Sequence, residues 1–310
     1  MNSLSGQVLT LSFMLLTAPV FSNYIGAVAE HDLYMGLDSD TPKQLLMKNI
    51  EIYQDLASIA FSHDAQVLVF PEFGLTAVRN DNRTNLYDFA EEFGEVEVDT
   101  SIIPCTDAAY QSDEHTIMRS VSCMSMNNHI SILVNTIDKL PCTSSDINCP
   151  DDNQYLYNTD IVMDEKGAFV AKYHKSHEWP GLKPPYDEPS EPSVVTYKSS
   201  WGIEYGIFTC FDIMFQDPAV TMVKSGLEHF LYPVMQGEIG EKTLITSFSK
   251  RHEVTMLSSN LGSKGGDAAG DCSGIITNGK DIESKKYSLS DIDSIYKDTH
   301  DNIIVATVVV

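Results

Sequence analysis

Residues 66–70 read QVLVF, an uninterrupted apolar run of the kind found in strands that are buried on both faces. The preceding segment, residues 39–65, has four apolar side chains at the spacing of one helix face: Leu45, Ile52, Leu56 and Ile59. Asp40 is suited to capping this helix and Pro42 to its first turn. A helix followed at once by a buried strand predicts an α/β fold.

The same alternation continues along the chain. Residues 216–226 predict a second helix that is closed by Gly226, and a further helix is expected between residues 234 and 254. The other β-prone runs cover residues 24–29, 130–137, 159–164, 169–174, 207–210, 229–234, 254–260, 273–278 and 303–310. No internal repeat or low-complexity linker separates these elements, so a single domain is predicted.

The chain is strongly acidic, with 44 Asp and Glu against 20 Lys and Arg and a formal net charge of -24 at pH 7. Nucleic acids and anionic membrane surfaces are bound by clustered Lys and Arg, so both are excluded as partners. A hydrophobic content of 43% is ordinary for a globular protein with a sizeable core. The acidic balance is interpreted as a contribution to solubility.

The N-terminus carries an uncharged apolar stretch, QVLTLSFMLLTAPVF, at residues 7–21. It is short for a transmembrane helix and is followed by Ser22, a small residue suited to cleavage, so residues 1–22 are predicted to be a signal peptide. No Lys or Arg precedes the stretch, and the alternative is a buried first element of the domain. The tail at residues 303–310 is too short for a lipid-anchor signal. A secreted protein without a membrane anchor is expected, with its domain at residues 23–310.

Four of the six cysteines lie in polar sequence. Cys142 and Cys149 close the short loop CTSSDINC, so a disulfide between them is predicted, and a second one between Cys105 and Cys123. Zinc binding is the competing interpretation, but the spacing contains no CxxC and no paired His.

Two cysteines remain outside this pairing. Cys210 is predicted to stay reduced, and Cys272 has no assigned role. Asn82 opens the sequence Asn-Arg-Thr and is the predicted N-glycosylation acceptor.

Three reactive side chains follow predicted strands: Glu72 after VLVFP, Lys175 after FVAKYH and Cys210 after YGIFT. In α/β folds, functional groups gather where strands end. A carboxylate can take the proton of a thiol, and a lysine can stabilise both the thiolate and an oxyanion. The set is sufficient for amide hydrolysis through a thioester, with no metal or cofactor required. Each residue also has a structural interpretation, as a core cysteine, a helix-capping glutamate and a lysine that reaches solvent.

Longer stretches around these residues carry a family resemblance. They are VFPEFGL from Val69, YNTDIVMDEKGAFVAKYHK from Tyr157 and GIFTCFDIMFQDPAV from Gly206. They resemble the nitrilase (carbon-nitrogen hydrolase) superfamily and, more narrowly, its vanin (pantetheinase) and biotinidase branch. The resemblance runs from about Tyr24 to the end of the chain and implies an α/β fold of the four-layer αββα sandwich type.

The resemblance also implies roles for the three side chains. Glu72 would be the general base, Lys175 the oxyanion-stabilising residue and Cys210 the nucleophile. The implied function is that of a secreted amidohydrolase whose partner is a small-molecule substrate, a linear secondary amide of the pantetheine type. The alternatives are a biotinidase-like amidase and a catalytically silent secreted binding protein that retains the fold.

The chain departs from the family pattern around the expected substrate pocket. Phe73 stands where the family usually has Asp, and YPVMQGE at residues 232–238 stands where the branch has a Thr-Ala-Trp run. After the lysine, the family has a second glutamate in a Gly-Glu pair. Here Glu178 and Glu188 are the nearest glutamates, at a different spacing. These departures favour the silent binding protein, whereas the intact Glu, Lys and Cys argue against it.

Two histidines flank the lysine, His174 and His177. A Cys–His pair is a common catalytic arrangement, so an imidazole base is the rival to Glu72. Because Glu72 already supplies a base, His174 is given a structural role on its strand.

Overall fold

The computed structural model describes residues 23–34, 40–76, 83–96, 102–180, 186–235, 241–262, 273–289 and 301–310. The predicted signal peptide, Asn82 and Cys272 lie outside these ranges. Two β-sheets lie face to face, and helices cover the outer face of each sheet. The architecture is the predicted four-layer αββα sandwich.

Fourteen strands and four helices organise the described residues. In chain order the strands are β1 (Tyr24–Glu30), β2 (Val67–Val69), β3 (Ala90–Glu91), β4 (Ser131–Pro141), β5 (Gln154–Met163), β6 (Phe169–His174), β7 (Val195–Lys198), β8 (Glu204–Ile207), β9 (His229–Val234), β10 (Thr255–Asn260), β11 (Gly274–Thr277), β12 (Lys280–Asp281), β13 (Lys285–Ser288) and β14 (Asn302–Val308). The helices are α1 (Pro42–Ser62), α2 (Thr116–Asn128), α3 (Thr221–Lys224) and α4 (Glu241–His252).

The first sheet has the order β13-β14-β1-β2-β4-β5-β6, with β3 also paired to β4. Strands β1, β2 and β4 are parallel, whereas β4, β5 and β6 form an antiparallel meander. The second sheet has the order β12-β11-β10-β9-β8-β7, in which β8, β9 and β10 are parallel. The carboxyl ends of neighbouring parallel strands therefore share one edge in each sheet, where side chains from different strands can meet.

Two apolar cores hold the four layers together. Helices α1 and α2 pack on the first sheet, where Leu56 and Val121 belong to the same buried cluster as Leu68. The second cluster fills the space between the sheets with residues such as Val69 and Leu231, and it extends to the outer helices of the second sheet. Strands of both sheets are buried on both faces, which explains why their sequences are continuous apolar runs.

Helix α1 begins as the sequence suggests but has a different cap. Thr41, rather than the predicted Asp40, is the N-cap residue: its hydroxyl accepts from Gln44 N, and the Gln44 side chain accepts from Thr41 N at 2.8 Å. This reciprocal capping box engages two backbone donors, whereas an aspartate one residue earlier would lie outside the first turn. Asp40 instead accepts a hydrogen bond from Tyr34 Oη at 3.1 Å.

The helix predicted over residues 216–226 is shorter in the structure. Asp217 has extended backbone angles (φ -109°, ψ 132°), and a regular α-helix, α3, forms only from Thr221 to Lys224. Pro218 explains the difference, because its ring disfavours helical angles in the residue before it.

Two disulfides staple the loops of the first sheet. Cys105 is bonded to Cys123 on α2, and Cys142 is bonded to Cys149 directly after β4. Within the described ranges, no helix combines the length and apolar character needed to cross a bilayer.

Candidate active site

Three turns at strand ends bring the predicted side chains together. Glu72 lies in the turn after β2, Lys175 directly after β6 and Cys210 in the turn after β8. Strand β2 packs against β9 of the opposite sheet, so turns from both sheets face the same space. All three side chains are buried, at 4% exposure or less.

The carboxylate of Glu72 is held by three donors. Its Oε1 accepts from Lys175 Nζ at 2.7 Å and from Asn158 Nδ2 at 2.8 Å. Its Oε2 accepts from the backbone N–H of Met235, directly after β9, at 3.1 Å. These bonds fix the orientation of the carboxylate before any substrate arrives.

Cys210 begins a tight 3₁₀ turn, Cys210–Met214, at a φ of 47°. This left-handed region costs an L-residue about 1–2 kcal/mol, and such strain is common where a side chain must be aimed into a site. Tyr232 Oη donates to the Cys210 carbonyl at 2.7 Å, and Cys210 Sγ lies 4.0 Å from the Met235 carbonyl oxygen. Because the Met235 backbone contacts both Glu72 and Cys210, the thiol lies beside the carboxylate.

Lys175 is the cation at the centre of this cluster. Burial alone would lower its pKa, but the negative charges of Glu72, Glu178 and Cys210 outweigh it, and the pKa is raised well above its ordinary value. The ammonium group therefore stays charged across the physiological range. A positive charge here favours the Cys210 thiolate over the neutral thiol.

Glu178 is the residue that the sequence analysis left without an assignment. Its Oε2 lies 3.5 Å from Lys175 Nζ, its side chain is 8% exposed, and burial raises its pKa to about 7. Its Oε1 is buried, and no donor among the described residues contacts it. Glu178 therefore joins the cluster through Oε2, and its buried Oε1 has no donor among the described residues. Only the general expectation of a second glutamate pointed to it, because its spacing from Lys175 differs from the family's.

Glu188, the other candidate for that position, has a different place. It accepts the backbone N–H of Glu178 at 2.7 Å and so holds the segment that carries the acid. The neighbouring Asp187 accepts from Leu156 N at 2.7 Å and anchors the same segment to β5.

Asp212 ties the lysine segment to the cysteine turn. It is fully buried and accepts hydrogen bonds from Tyr173 Oη at 2.7 Å, from Thr209 N at 3.2 Å and from the His177 backbone at 2.9 Å. The donors lie on both sides of Lys175 and immediately before Cys210. One carboxylate therefore fixes the relative position of the two functional segments.

Both flanking imidazoles are bonded to aspartates. His174 Nε2 lies 2.8 Å from Asp138 Oδ2, and its ring stacks on Tyr157 at 4.2 Å. His177 Nδ1 lies 2.9 Å from Asp212 Oδ1. Neither contact involves Cys210, so the geometry favours Glu72 over an imidazole as the base.

Phe73 has a structural role in the turn after Glu72. Its φ is 59°, its N–H donates to Asn135 Oδ1 at 2.9 Å, and its ring stacks on Tyr186 at 5.5 Å. The turn that carries Glu72 is thereby joined to the segment that follows Glu178. Within the described ranges, no group of three or more His, Cys, Asp or Glu side chains is arranged to hold a metal ion.

Comparison with protein families identifies the class to which this fold and site belong. The carbon-nitrogen hydrolase family model matches residues 38–259, which is more than half of the chain. The protein belongs to the carbon-nitrogen hydrolase family.

Curated relatives narrow the placement to the vanin and biotinidase branch, as predicted. Biotinidase from Takifugu rubripes is 32% identical over 270 residues, covering 83% of this chain and 53% of that protein. Pantetheinase from Homo sapiens is 36% identical over 229 residues, covering 72% of this chain and 44% of that protein. The chain spans about half the length of these relatives.

A solved structure shows the same fold. The crystal structure of an amidase from Nesterenkonia sp. superposes with a TM-score of 0.60 at 16% identity, covering 93% of this chain and 91% of that chain. A similarity at this identity supports the nitrilase-type sandwich and nothing more specific.

Proposed function

We propose that the protein is a secreted amidohydrolase that cleaves a linear secondary amide of the pantetheine type through a thioester on Cys210. The observation that carries this proposal is the buried contact of Glu72 with Lys175, next to a thiol that the Met235 backbone links to the same carboxylate. The pantetheinase and biotinidase relatives support an amide as the substrate.

In the first half-reaction, Glu72 takes the thiol proton as Cys210 Sγ attacks the amide carbonyl carbon. The oxyanion is stabilised by the Lys175 ammonium and by the backbone N–H of Phe211, next to the nucleophile. Glu72 then gives the proton to the amide nitrogen, the C–N bond breaks, and the amine leaves. The acyl group remains on sulfur as a thioester.

In the second half-reaction, water replaces the amine. Glu72 takes a proton from the water as its oxygen attacks the thioester carbonyl. The tetrahedral intermediate expels the Cys210 thiolate, which takes back the proton held by Glu72, and the acid product leaves. Lys175 stabilises this second oxyanion as well, so one cation serves both steps.

Glu178 is assigned to the substrate side of the cluster. Its Oε1 is a buried acceptor without a donor among the described residues, and the N–H of a secondary amide is a donor of the right kind. Holding this N–H would orient the scissile carbonyl toward Cys210.

Secretion is part of the proposal. It is supported by the apolar stretch at residues 7–21 and by the two disulfides, since disulfides persist in oxidising compartments. N-terminal sequencing of protein secreted by cultured cells should start at Asn23, and a start at Met1 would contradict the signal peptide. Occupancy of Asn82 by a glycan is expected in the same material.

The decisive test is hydrolysis of a panel of amides by wild type and Cys210→Ala. The panel contains pantothenyl, biotinyl and simple acyl amides, and release of the amine is measured. Turnover of the pantothenyl amide that disappears in Cys210→Ala, with a trapped acyl adduct on Cys210 seen by mass spectrometry, is the expected result.

Two other outcomes separate the alternatives. Preference for biotinyl amides would favour a biotinidase-like amidase, which the match to biotinidase over 83% of the chain keeps as the second candidate. A folded protein that cleaves none of the amides but binds one would instead be the silent binding protein.

A further inference from the structure

A buried carboxyl group that the proposed mechanism does not use lies behind the site. Asp160, on β5, is fully buried. Its Oδ1 accepts from Asn135 Nδ2 at 2.8 Å, and its Oδ2 accepts from Thr209 Oγ1 at 2.5 Å. Both partners are neutral, and within the described ranges no cation forms an ion pair with Asp160.

The two partners of Asp160 lead to opposite halves of the site. Thr209 immediately precedes Cys210 and donates its N–H to Asp212. Asn135 accepts the N–H of Phe73, next to Glu72.

A second route also reaches the base. Asn135 Nδ2 donates to Asn158 Oδ1 at 2.7 Å, and Asn158 Nδ2 donates to Glu72 Oε1 at 2.8 Å. Asp160 therefore lies in the middle of one buried hydrogen-bond chain that runs from the Cys210 turn to the Glu72 carboxylate. A displacement of Asp160 would therefore alter the positions of both the Cys210 turn and the Glu72 carboxylate.

The surroundings of Asp160 disfavour its ionised form. Burial raises its pKa to about 7; the hydrogen bonds from Thr209 and Asn135 lower it, and the charges of Glu72 and Asp212 raise it. The residue opposite on β6 is Tyr173, a neutral phenol that is bonded to Asp212. The nearby cation, Lys175, is bonded to Glu72. An ionised Asp160 would add a fourth carboxylate, beside Glu72, Glu178 and Asp212, to a cluster with one ammonium group.

We propose that Asp160 is a positioning residue that acts in its neutral, protonated form, holding Thr209 and the Cys210 turn on one side and Asn135 and the Glu72 turn on the other. Both oxygens of Asp160 accept when it is ionised; with a proton on Oδ2 the bond to Thr209 reverses, so that Asp160 donates to Thr209 Oγ1 and no charge lies beside the nucleophile. Without the proton, a negative charge lies behind Cys210 and opposes both the thiolate and the oxyanion. Reactivity of the site should therefore be restrained on the alkaline side by Asp160.

The test compares wild type, Asp160→Asn and Asp160→Ala by the rate at which iodoacetamide modifies Cys210, followed by peptide mass spectrometry as a function of pH. Asparagine reproduces the neutral acid, because its amide can donate to Thr209 and accept from Asn135. Asp151→Asn, on an exposed turn, removes the same charge and serves as the matched control.

Asp160→Asn should be modified about three- to tenfold faster than wild type near pH 8.5, and at a similar rate near pH 6, where wild type also carries the proton. Asp151→Asn should follow wild type at both pH values. A ratio of Asn variant to wild type that does not change with pH would overturn the proposal. So would an Asn variant that is as impaired as Asp160→Ala at every pH, since that would require the charged form.

This readout needs no substrate, so it remains valid if the proposed amide specificity is wrong. Where an amide is cleaved, the activity measurement rests on the proposed function: Asp160→Ala should lower kcat about tenfold or more with little change in KM, because placement of the reacting groups is lost.

Thr209→Ser, which keeps the hydroxyl, should retain more of kcat than Thr209→Val. Equal losses in the two threonine variants would contradict the hydrogen-bond chain, and these variants also provide the test if Asp160→Ala does not fold.

Discussion

Glu91 and Glu178 are two buried glutamates with similar titration and different surroundings. Burial raises the pKa of each to about 7. For Glu91 the effect is partly offset by the backbone N–H groups of Ile117 and Met118, which donate to it at 2.7 and 3.1 Å at the start of α2. For Glu178 it is partly offset by the charge of Lys175.

The difference shows that a perturbed pKa alone does not identify a site. Both carboxylate oxygens of Glu91 are used by the fold, since they accept donors that a helix N-terminus leaves without partners. Glu178 keeps one buried oxygen open and faces a cation that also contacts Glu72. The contacts, rather than the pKa, distinguish the two: those of Glu91 cap α2, and the oxygen of Glu178 without a donor among the described residues is the basis for proposing a role in substrate binding.

Replacement of Lys175, the cation that faces Glu178, should cause the largest loss of activity. Lys175→Met keeps the volume of the side-chain stem and removes the charge, so kcat on any accepted amide should fall about 100- to 1000-fold. Alkylation of Cys210 at neutral pH should slow as well, because the thiolate loses its cation. Lys43→Met, an exposed lysine on the first turn of α1, is the control and should keep wild-type kinetics. Comparable losses in the two variants would remove the oxyanion role.

Exchanging each glutamate for a neutral side chain tests the comparison directly. Glu178→Met, a neutral side chain of similar length without an acceptor oxygen, should lower kcat/KM about 100-fold, because the acceptor that orients the substrate is lost. Glu91→Gln should leave steady-state kinetics within about twofold, since helix capping does not touch the substrate. The reverse ranking would mean that the open oxygen of Glu178 has no part in binding.

The free energy of unfolding should depend on Glu91, whose carboxylate caps α2. Glu91→Ala leaves the N–H groups of Ile117 and Met118 without their acceptor and should lower the free energy of unfolding by about 1–2 kcal/mol. Denaturant unfolding with a fluorescence readout measures this, with Asp88→Ala as a control on the adjacent surface. A change within error for Glu91→Ala would exclude the capping role.

The pH dependence of the free energy of unfolding follows from the direction in which the pKa of Glu91 is shifted. The folded-state pKa of Glu91, about 7, lies above its ordinary 4.5, so the native state binds the proton more tightly. Stability from this group is complete below about pH 4.5 and is lost as pH rises through about 7, at up to about 1.4 kcal/mol per pH unit. Glu91→Gln should therefore flatten the fall in unfolding free energy between pH 5 and 8, and an unchanged slope would contradict the assignment.

The sequence predicts the fold well because the strands are buried on both faces. QVLVF and HFLYPV are continuous apolar or β-branched runs, and β2 and β9 form in them as predicted. The run predicted over residues 159–164 forms the second half of β5, which begins earlier, at Gln154. The short strands β3, β7, β12 and β13 were not predicted, since strands of two to four residues are too short to show an apolar or alternating pattern. Helix α2 was missed as well.

The candidate active site likewise contains residues that could be predicted from the sequence and residues that could not. Glu72, Lys175 and Cys210 follow recognisable strands, so their convergence could be predicted from their places at strand ends and from the family resemblance. Glu178 and Asp160 could not be assigned, because their roles depend on which polar groups surround them after folding. Only the three-dimensional contacts distinguish Glu178, which contacts Lys175, from Glu188, which accepts the backbone N–H of Glu178 ten residues away.

The smallest expected effect belongs to His174. His174→Ala should change kcat and KM by less than about threefold, because the imidazole has no assigned step and contacts Asp138 rather than the thiol. Asp138 is buried, but it keeps the Lys172 ammonium at 3.2 Å and the Phe93 N–H at 3.2 Å, so its charge remains paired in the variant. Steady-state kinetics on the same amide as for Lys175→Met provides the comparison. If His174→Ala lost more activity than Lys175→Met, a Cys–His mechanism would replace the glutamate–lysine–cysteine assignment, and the open oxygen of Glu178 would no longer mark the substrate side.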